Sequence, residues 1–268
     1  MSKGFVWFAQ NNNKTDYVEL SIRLAKSIKR WNKQNKICVI TDHASKFTDD
    51  NVDVVRVLQN DHSENHEVKW ANEHQAFALT PFTHTIKLEA DMLWTANTDW
   101  WWYFLWQHDL VFSVDCFNYR DKVVKTTPYR KLFQRNKLPN IYNGLMYFRK
   151  SKKAQQFFQI AEGIATNWKE VKKNMLISCH DEYPSTDVVF ALAQRIMDPT
   201  NKSLIDYPWF KFIHNKASVH GLGRLKDHDQ YLMPLQIGKQ TIIGSQRTHR
   251  VWHYHNKDIP GVLDARIF

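Results

Sequence analysis

Thr85-Ile86-Lys87-Leu88-Glu89-Ala90-Asp91-Met92 begins as an apolar, strand-like run and ends in two carboxylates. Period-two alternation puts Glu89 and Asp91 on one side of the chain with the small Ala90 between them, so both acids converge on one hard cation such as Mg or Mn. An acid-x-acid pair by itself is equally a strand ending in solvated acids, and its surroundings decide between the two. Upstream, Phe5-Val6-Trp7-Phe8-Ala9 reads as a buried strand ending in polar Gln10-Asn11-Asn12-Asn13. From Asp16 onward, Tyr17, Leu20, Leu24, Ile28 and Trp31 recur at spacings of three and four, an amphipathic helix with Asp16 and Glu19 placed as a capping box. Ile37 to Ile40 and Val52 to Val57 read as short strands that a parallel sheet buries on both faces. A helix is expected from about His66 to Leu79. This alternation is an α/β pattern, and open sheets of that class bind ligands beyond the carboxyl ends of their strands.

Downstream, Leu110 to Val114 and Ile141 to Phe148 read as strands, and helices are expected from Ser151 to about Trp168 and from near Ser185. Shorter strands follow around Thr241 to Ile243 and Arg250 to His255. No internal repeat or low-complexity linker interrupts the 268 residues, so one domain with an irregular C-terminal part is the expected organisation. Trp100-Trp101-Trp102-Tyr103-Phe104-Leu105-Trp106 suggests either a membrane interface or an aromatic core helix capped by Thr98 or Asp99, and the core helix is the expectation.

Composition excludes several classes. With 43% hydrophobic and 24% charged residues the chain is in the globular range. Eight glycines leave no G-x-G-x-x-G and no G-x-x-x-x-G-K-[ST], which argues against a standard dinucleotide cradle or P-loop. Cys38, Cys116 and Cys179 are far apart and odd in number, suggesting neither a disulfide framework nor a zinc knuckle, and a reducing cytoplasm is expected. The apolar stretch after Met1-Ser2-Lys3 is too short for a signal segment.

Lys69, Trp70, Asn72 and Glu73, then Thr80-Pro81-Phe82, precede the carboxylate pair; Asn143-Gly144-Leu145-Met146 and Thr186-Asp187 follow it. In that order these motifs, over roughly residues 4–195, resemble the GT-A glycosyltransferases, the nucleotide-sugar-dependent fold that includes glycogenin and bacterial retaining galactosyltransferases. The resemblance implies a GT-A, Rossmann-like, mixed and mostly parallel sheet flanked by helices, with residues 1–110 forming a nucleotide-sugar half and 111–268 an acceptor half and C-terminal extension. It also implies a nucleoside pocket at Ala9, Gln10 and Asn11, further donor contacts at Asn72 and Ala90, and a sugar-contacting strand at Asn143. Glu89 departs from the usual Asp of the D-x-D motif, so Asp91 is the safer metal ligand and Glu89 is left between metal and ribose. Lys69 adds a point charge for a diphosphate. Asp187, in the first turn of a helix, is a candidate base or a complement to the helix dipole, with Glu182 and Asp181 as alternates.

Three C-terminal places offer a further metal ligand: His214-Asn215-Lys216; His220 with Gly223 and Lys226, resembling the H-x-x-G-x-x-K motif of retaining galactosyltransferases; and His253-Tyr254-His255-Asn256-Lys257. The last is favoured, with His253 and His255 on one strand face and Lys257 nearby for the diphosphate. The net charge of +10 is uneven: Arg120 to Lys173 holds fourteen Lys and Arg against three acids. Lys125, Tyr129, Arg130, Lys131 and Arg135 read as a nucleic-acid surface, with a solvated basic face, or a site for an anionic lipid or lipopolysaccharide acceptor, as the alternatives. The resemblance, with the acid pair and the charge beside it, implies a cytoplasmic glycosyltransferase that uses Mn or Mg and a UDP-linked sugar, with no membrane and no obligate protein partner. By resemblance to phage-encoded DNA-modifying enzymes, its acceptor is double-stranded DNA bearing hydroxymethylcytosine. A protein or surface glycan acceptor is the alternative, as is a non-catalytic nucleic-acid-binding module.

Overall fold

Every second residue of the first strand faces a different core: Phe5 and Trp7 pack with one buried cluster, Val6 and Phe8 with the other. A strand with large apolar groups on both sides needs a layer of helices on each face, and that requirement organises the molecule. The computed structural model describes residues 2–63, 67–125, 127–222, 231–257, 264 and 266–268.

In chain order the strands are β1 Lys3–Phe8, β2 Lys36–Thr41, β3 Val54–Val57, β4 His84–Leu88, β5 Met92–Leu93, β6 Leu110–Val114, β7 Cys116–Phe117, β8 Val123–Val124, β9 Ile141–Arg149, β10 Ile213–Asn215, β11 Pro234–Ile237, β12 Gln240–Ile243, β13 Gln246–Thr248 and β14 Trp252–Tyr254. The helices are α1 Tyr17–Trp31, α2 Ala76–Leu79, α3 Trp101–Leu105, α4 Lys131–Arg135, α5 Lys152–Thr166, α6 Trp168–Met175, α7 Thr186–Met197 and α8 Ala217–His220. The main sheet has the order β3-β2-β1-β4-β9-β6, parallel throughout except for β9, which runs against both its neighbours. Helix α1 covers one face through Leu20, Leu24 and Ile28; α5 and α7 cover the other through Phe157, Phe158, Val189 and Phe190. A second sheet, β5-β14-β10-β7-β8, and a three-stranded antiparallel meander, β11-β12-β13, complete the C-terminal part. The expected mixed, mostly parallel α/β architecture is therefore the observed one.

Local signals held where one element satisfied its own ends. The Asp16 carboxylate accepts the Glu19 N–H at 2.9 Å, while the Glu19 carboxylate turns to Arg23, so half of the capping box forms. Ser151 and Ser185 cap α5 and α7. Four expectations need correction. Strand β3 is a half-exposed edge rather than buried on both faces. Strand β4 ends at Leu88 and is parallel to β1 but antiparallel to β9. The expected helix to Leu79 is a 3-10 segment, Trp70–Gln75, running into α2, and the side-chain amides of Asn72 and Gln75 tie it outward to Asp61 and Asn60; His66, its expected start, lies outside the described residues. Helix α3 is capped by neither Thr98 nor Asp99, since the Asp99 carboxylate accepts from Asn32 and Asn35. Only Trp101, Trp102 and Leu105 of that segment are buried, and Trp100, Tyr103, Phe104 and Trp106 are exposed.

Candidate functional site

Strand order reverses between β1 and β4, and the crevice outside their carboxyl ends is where such a sheet admits a ligand. A cavity of about 410 Å³ opens there, lined by Gln10 beyond β1 and by Glu89, Ala90 and Asp91 beyond β4.

The floor at β1 is a hydrogen-bonded knot. The Gln10 amide donates to Asp61 at 2.8 Å and accepts from Asn72 at 2.9 Å; Asn72 donates to Asp61 at 2.7 Å and to Ser63 at 2.9 Å. Burial alone would raise the Asp61 pKa, yet hydrogen bonds from Asn72, Ser63 and Gln10 lower it, so the carboxylate stays charged and fixes the Gln10 side chain. Of the expected nucleoside contacts, Gln10 lines the cavity. Ala9 and Asn72 are fully buried beneath it, and Asn11 is occupied with Ser45 and the Val18 N–H.

Glu89-Ala90-Asp91 is the three-residue crossing from the main sheet to the second one, since β4 ends at Leu88 and β5 begins at Met92. In the second sheet His253 is the register partner of Met92, and the Tyr254 N–H donates to the Asp91 carbonyl at 3.1 Å. Sheet pairing thus delivers an imidazole to the carboxylates: His253 Nε2 stands 3.2 Å from Glu89 Oε2 and 3.2 Å from Asp91 Oδ2. One ligand atom from each of the three residues lies within 4.8 Å of the others. Burial lowers the His253 pKa against the opposing charge of Glu89, which keeps the ring neutral at pH 7 with a lone pair to offer. His214, the register partner of His253 on β10, stacks on it with centroids 4.7 Å apart, and burial holds its pKa well down too.

Gly144 of β9 faces the same carboxylate: a Cβ there would meet Glu89 Oε2 at 2.8 Å. Its neighbour Asn143 donates its side-chain amide to Glu89 at 3.3 Å and its backbone N–H to Asp187 Oδ1 at 2.7 Å. The other Asp187 oxygen accepts from Arg130 Nη1 at 2.6 Å. Arg130 itself is 2% exposed, donates also to Asn140 and the Ile141 carbonyl, and lies over the Phe133 and Tyr142 rings.

Around the mouth, Lys69, Tyr129, Lys216, His255 and Lys257 line the cavity. Lys257 pairs with Asp91, and burial draws its ammonium down to about 8 while Glu89 opposes the shift. Below them the fully buried Lys87 pairs with Glu73.

The structure brings Gln10, Lys69, Glu89, Ala90, Asp91, Asp187, His253, His255 and Lys257 to one cavity. It moves others elsewhere. Glu182 and Asp181 are exposed and stand outside the lining. His220 bonds to Asn215 and lies outside the triplet, and Gly223 and Lys226 of its motif lie outside the described residues. Arg130 is withdrawn from the expected nucleic-acid surface, because its guanidinium is sealed against Asp187 and two rings. Tyr129 lines the cavity and donates or accepts through its hydroxyl with Tyr142 at 2.9 Å, whereas Lys125, Lys131 and Arg135 are exposed. The pairing of Arg130 with Asp187 and the place of Tyr142 had no part in the sequence reading; the pair spans 57 positions, and no spacing rule connects such residues.

No protein-family model matches the chain, and no curated protein does. Among solved structures, it is similar to a galactosyltransferase, LgtC, in complex with donor and acceptor sugar analogs: 14% identity and a TM-score of 0.53, over 94% of this chain and 87% of that one. The likeness shows a GT-A glycosyltransferase fold. No described helix is long and apolar enough to cross a membrane.

Proposed function

We propose that this chain, having that fold and that cavity, transfers a sugar from a UDP-linked donor to an acceptor hydroxyl and depends on Mn or Mg. The observation that carries the reading is the convergence of Glu89, Asp91 and His253 at the strand-order switch. Two carboxylates and a neutral imidazole suit Mn or Mg better than the thiolate-rich sets of structural zinc. Glycine at position 144 leaves room for Glu89 to be one of the three. A divalent ion held there supplies Lewis acidity to the departing diphosphate. Lys257 and Lys69 add point charges for the same phosphates, Gln10 and Tyr17 border the space for the nucleoside, and Asp187, with Arg130 and Asn143 on its two oxygens, orients a sugar hydroxyl rather than serving as a mobile base.

For the acceptor, the reading is a hydroxymethylated cytosine in duplex DNA. Exposed Lys125, Lys131 and Arg135 supply phosphate contacts, and the Tyr129 ring at the cavity offers a face for an extruded base. Incubation with a panel of UDP-sugars, with and without Mn, should release UDP from one donor only when metal is present. Donor affinity that is equal in Mn and in chelator, read by calorimetry, removes the metal-dependent reading. Intact function in E89A and D91A would leave a non-catalytic module instead. On DNA, the triple variant K125A/K131A/R135A should flatten the dependence of log affinity on log salt by about 0.9 per lost contact. Absence of transfer to any hydroxymethylated duplex with any donor moves the acceptor to a protein or glycan.

A further inference from the structure

Helix α1 has Tyr17 at the first cavity and Trp31, its last residue, at a second. At 1.5 Å per residue the two cavities are about 20 Å apart along the helix. The second measures about 500 Å³ and is lined by the indoles of Trp31, Trp100, Trp101 and Trp209 and by Lys239 and Arg247. Among the described residues neither Lys239 nor Arg247 has a carboxylate partner. Asp121 is the one carboxylate in the lining, and it is held by Arg250 at 2.5 Å. The Thr98 hydroxyl, on a lining residue that is 4% exposed, has no hydrogen-bond partner. Tyr207 stacks on one face of Trp209 at 4.7 Å and fixes that ring, while Trp100, tilted 59° to Trp209, stays half exposed. Nothing in the sugar-transfer reading uses these groups.

We propose that this second cavity binds single-stranded nucleic acid, taking bases against the exposed Trp100 ring and the accessible edges of Trp31 and Trp209, with Trp101 buried behind them, and phosphates on Lys239 and Arg247. Flat apolar faces beside unpaired cations match an anion that carries rings, and stacking on aromatic side chains accepts any base. The concave shape favours discrete groups over a bilayer, which meets aromatic side chains that project from a surface. A neutral glycan also packs on indoles, but it brings no counter-charge for Lys239 and Arg247, which favours the anionic chain. The site stands independently of the sugar-transfer reading.

The test is fluorescence anisotropy of a labelled oligothymidylate with the full chain over a range of salt. K239A/R247A, two exposed side chains, should reduce the slope of log affinity against log salt by about 1.4, at roughly 0.7 per single-strand contact. W100A should weaken binding by about fivefold or more and leave the slope in place. Thermal melting of each variant establishes that it folds, and the double variant decides the matter if W100A does not. Parent-like binding by K239A/R247A overturns the proposal by placing the oligonucleotide on another surface. No oligonucleotide binding by the parent, with phosphatidylglycerol vesicles bound in a manner that the double variant loses, overturns it in favour of a lipid surface.

Discussion

Gly144 lacks a side chain where one would be crowded: a Cβ would stand 2.8 Å from Glu89 Oε2 and 2.9 Å from Met92 Cε. Alanine there must push the carboxylate away from Asp91 and His253. G144A should therefore weaken Mn binding about 10- to 100-fold, the usual effect of disturbing what orients a ligand, with little change in unfolding by urea. Calorimetry of Mn with the purified chain checks this, and parent-like affinity would show that Glu89 is not among the ligands. Arg130 is different, because it joins fold to site. R130A leaves Asp187 without its guanidinium partner and opens space beside Phe133 and Tyr142, for a loss of about 3 kcal/mol in urea unfolding. R130K should recover only part of it, since a lysine keeps the charge but not the planar fork that meets Asp187, Asn140 and the Ile141 carbonyl together.

Helix α7 starts at the cavity, with Ser185, Thr186 and Asp187 in the lining, and the Ser185 side chain accepts the Val188 N–H. S185A should cost about 1 kcal/mol of stability by urea unfolding and also raise the donor KM, because the freed first turn carries Asp187. A stability loss with an unchanged KM would separate Asp187 from the donor. The start of this helix, like those near Asp16 and Ser151, was readable because the signals that open a helix lie within a few residues of it. The strands of the main sheet were readable for the same reason, through unbroken apolar runs such as Ile37 to Ile40. What sequence did not disclose is pairing between distant elements. His253 could be nominated as a ligand by its neighbours, but its choice over His214 and His220 rests on the register of β14 with β5. The burial of Arg130 was hidden because a basic residue among other basic residues gives no sign that Asp187 will meet it.

Across the whole molecule, the first cavity draws on both sheets and on α7, so a ligand that fills it clamps separate parts of the fold together. Mn with UDP at a hundredfold excess over Kd should stabilise the chain by about 2.7 kcal/mol, a rise in Tm of roughly 5 to 10 °C for a chain of this length. Chelator should abolish the rise, and a rise that survives chelator would mean that the nucleotide binds without metal. The order in which the chain is made adds one consequence of the crossing at Glu89-Ala90-Asp91. Both acids leave the ribosome together with the strands of the parallel core, yet the strand that pairs β5 and carries His253 is translated more than 150 residues later. During that interval a nascent chain can complete the β1 to β4 half of the crevice but has no third ligand to offer. On the metal-dependent reading proposed above, the site is therefore complete only once β14 has been made and has paired with β5.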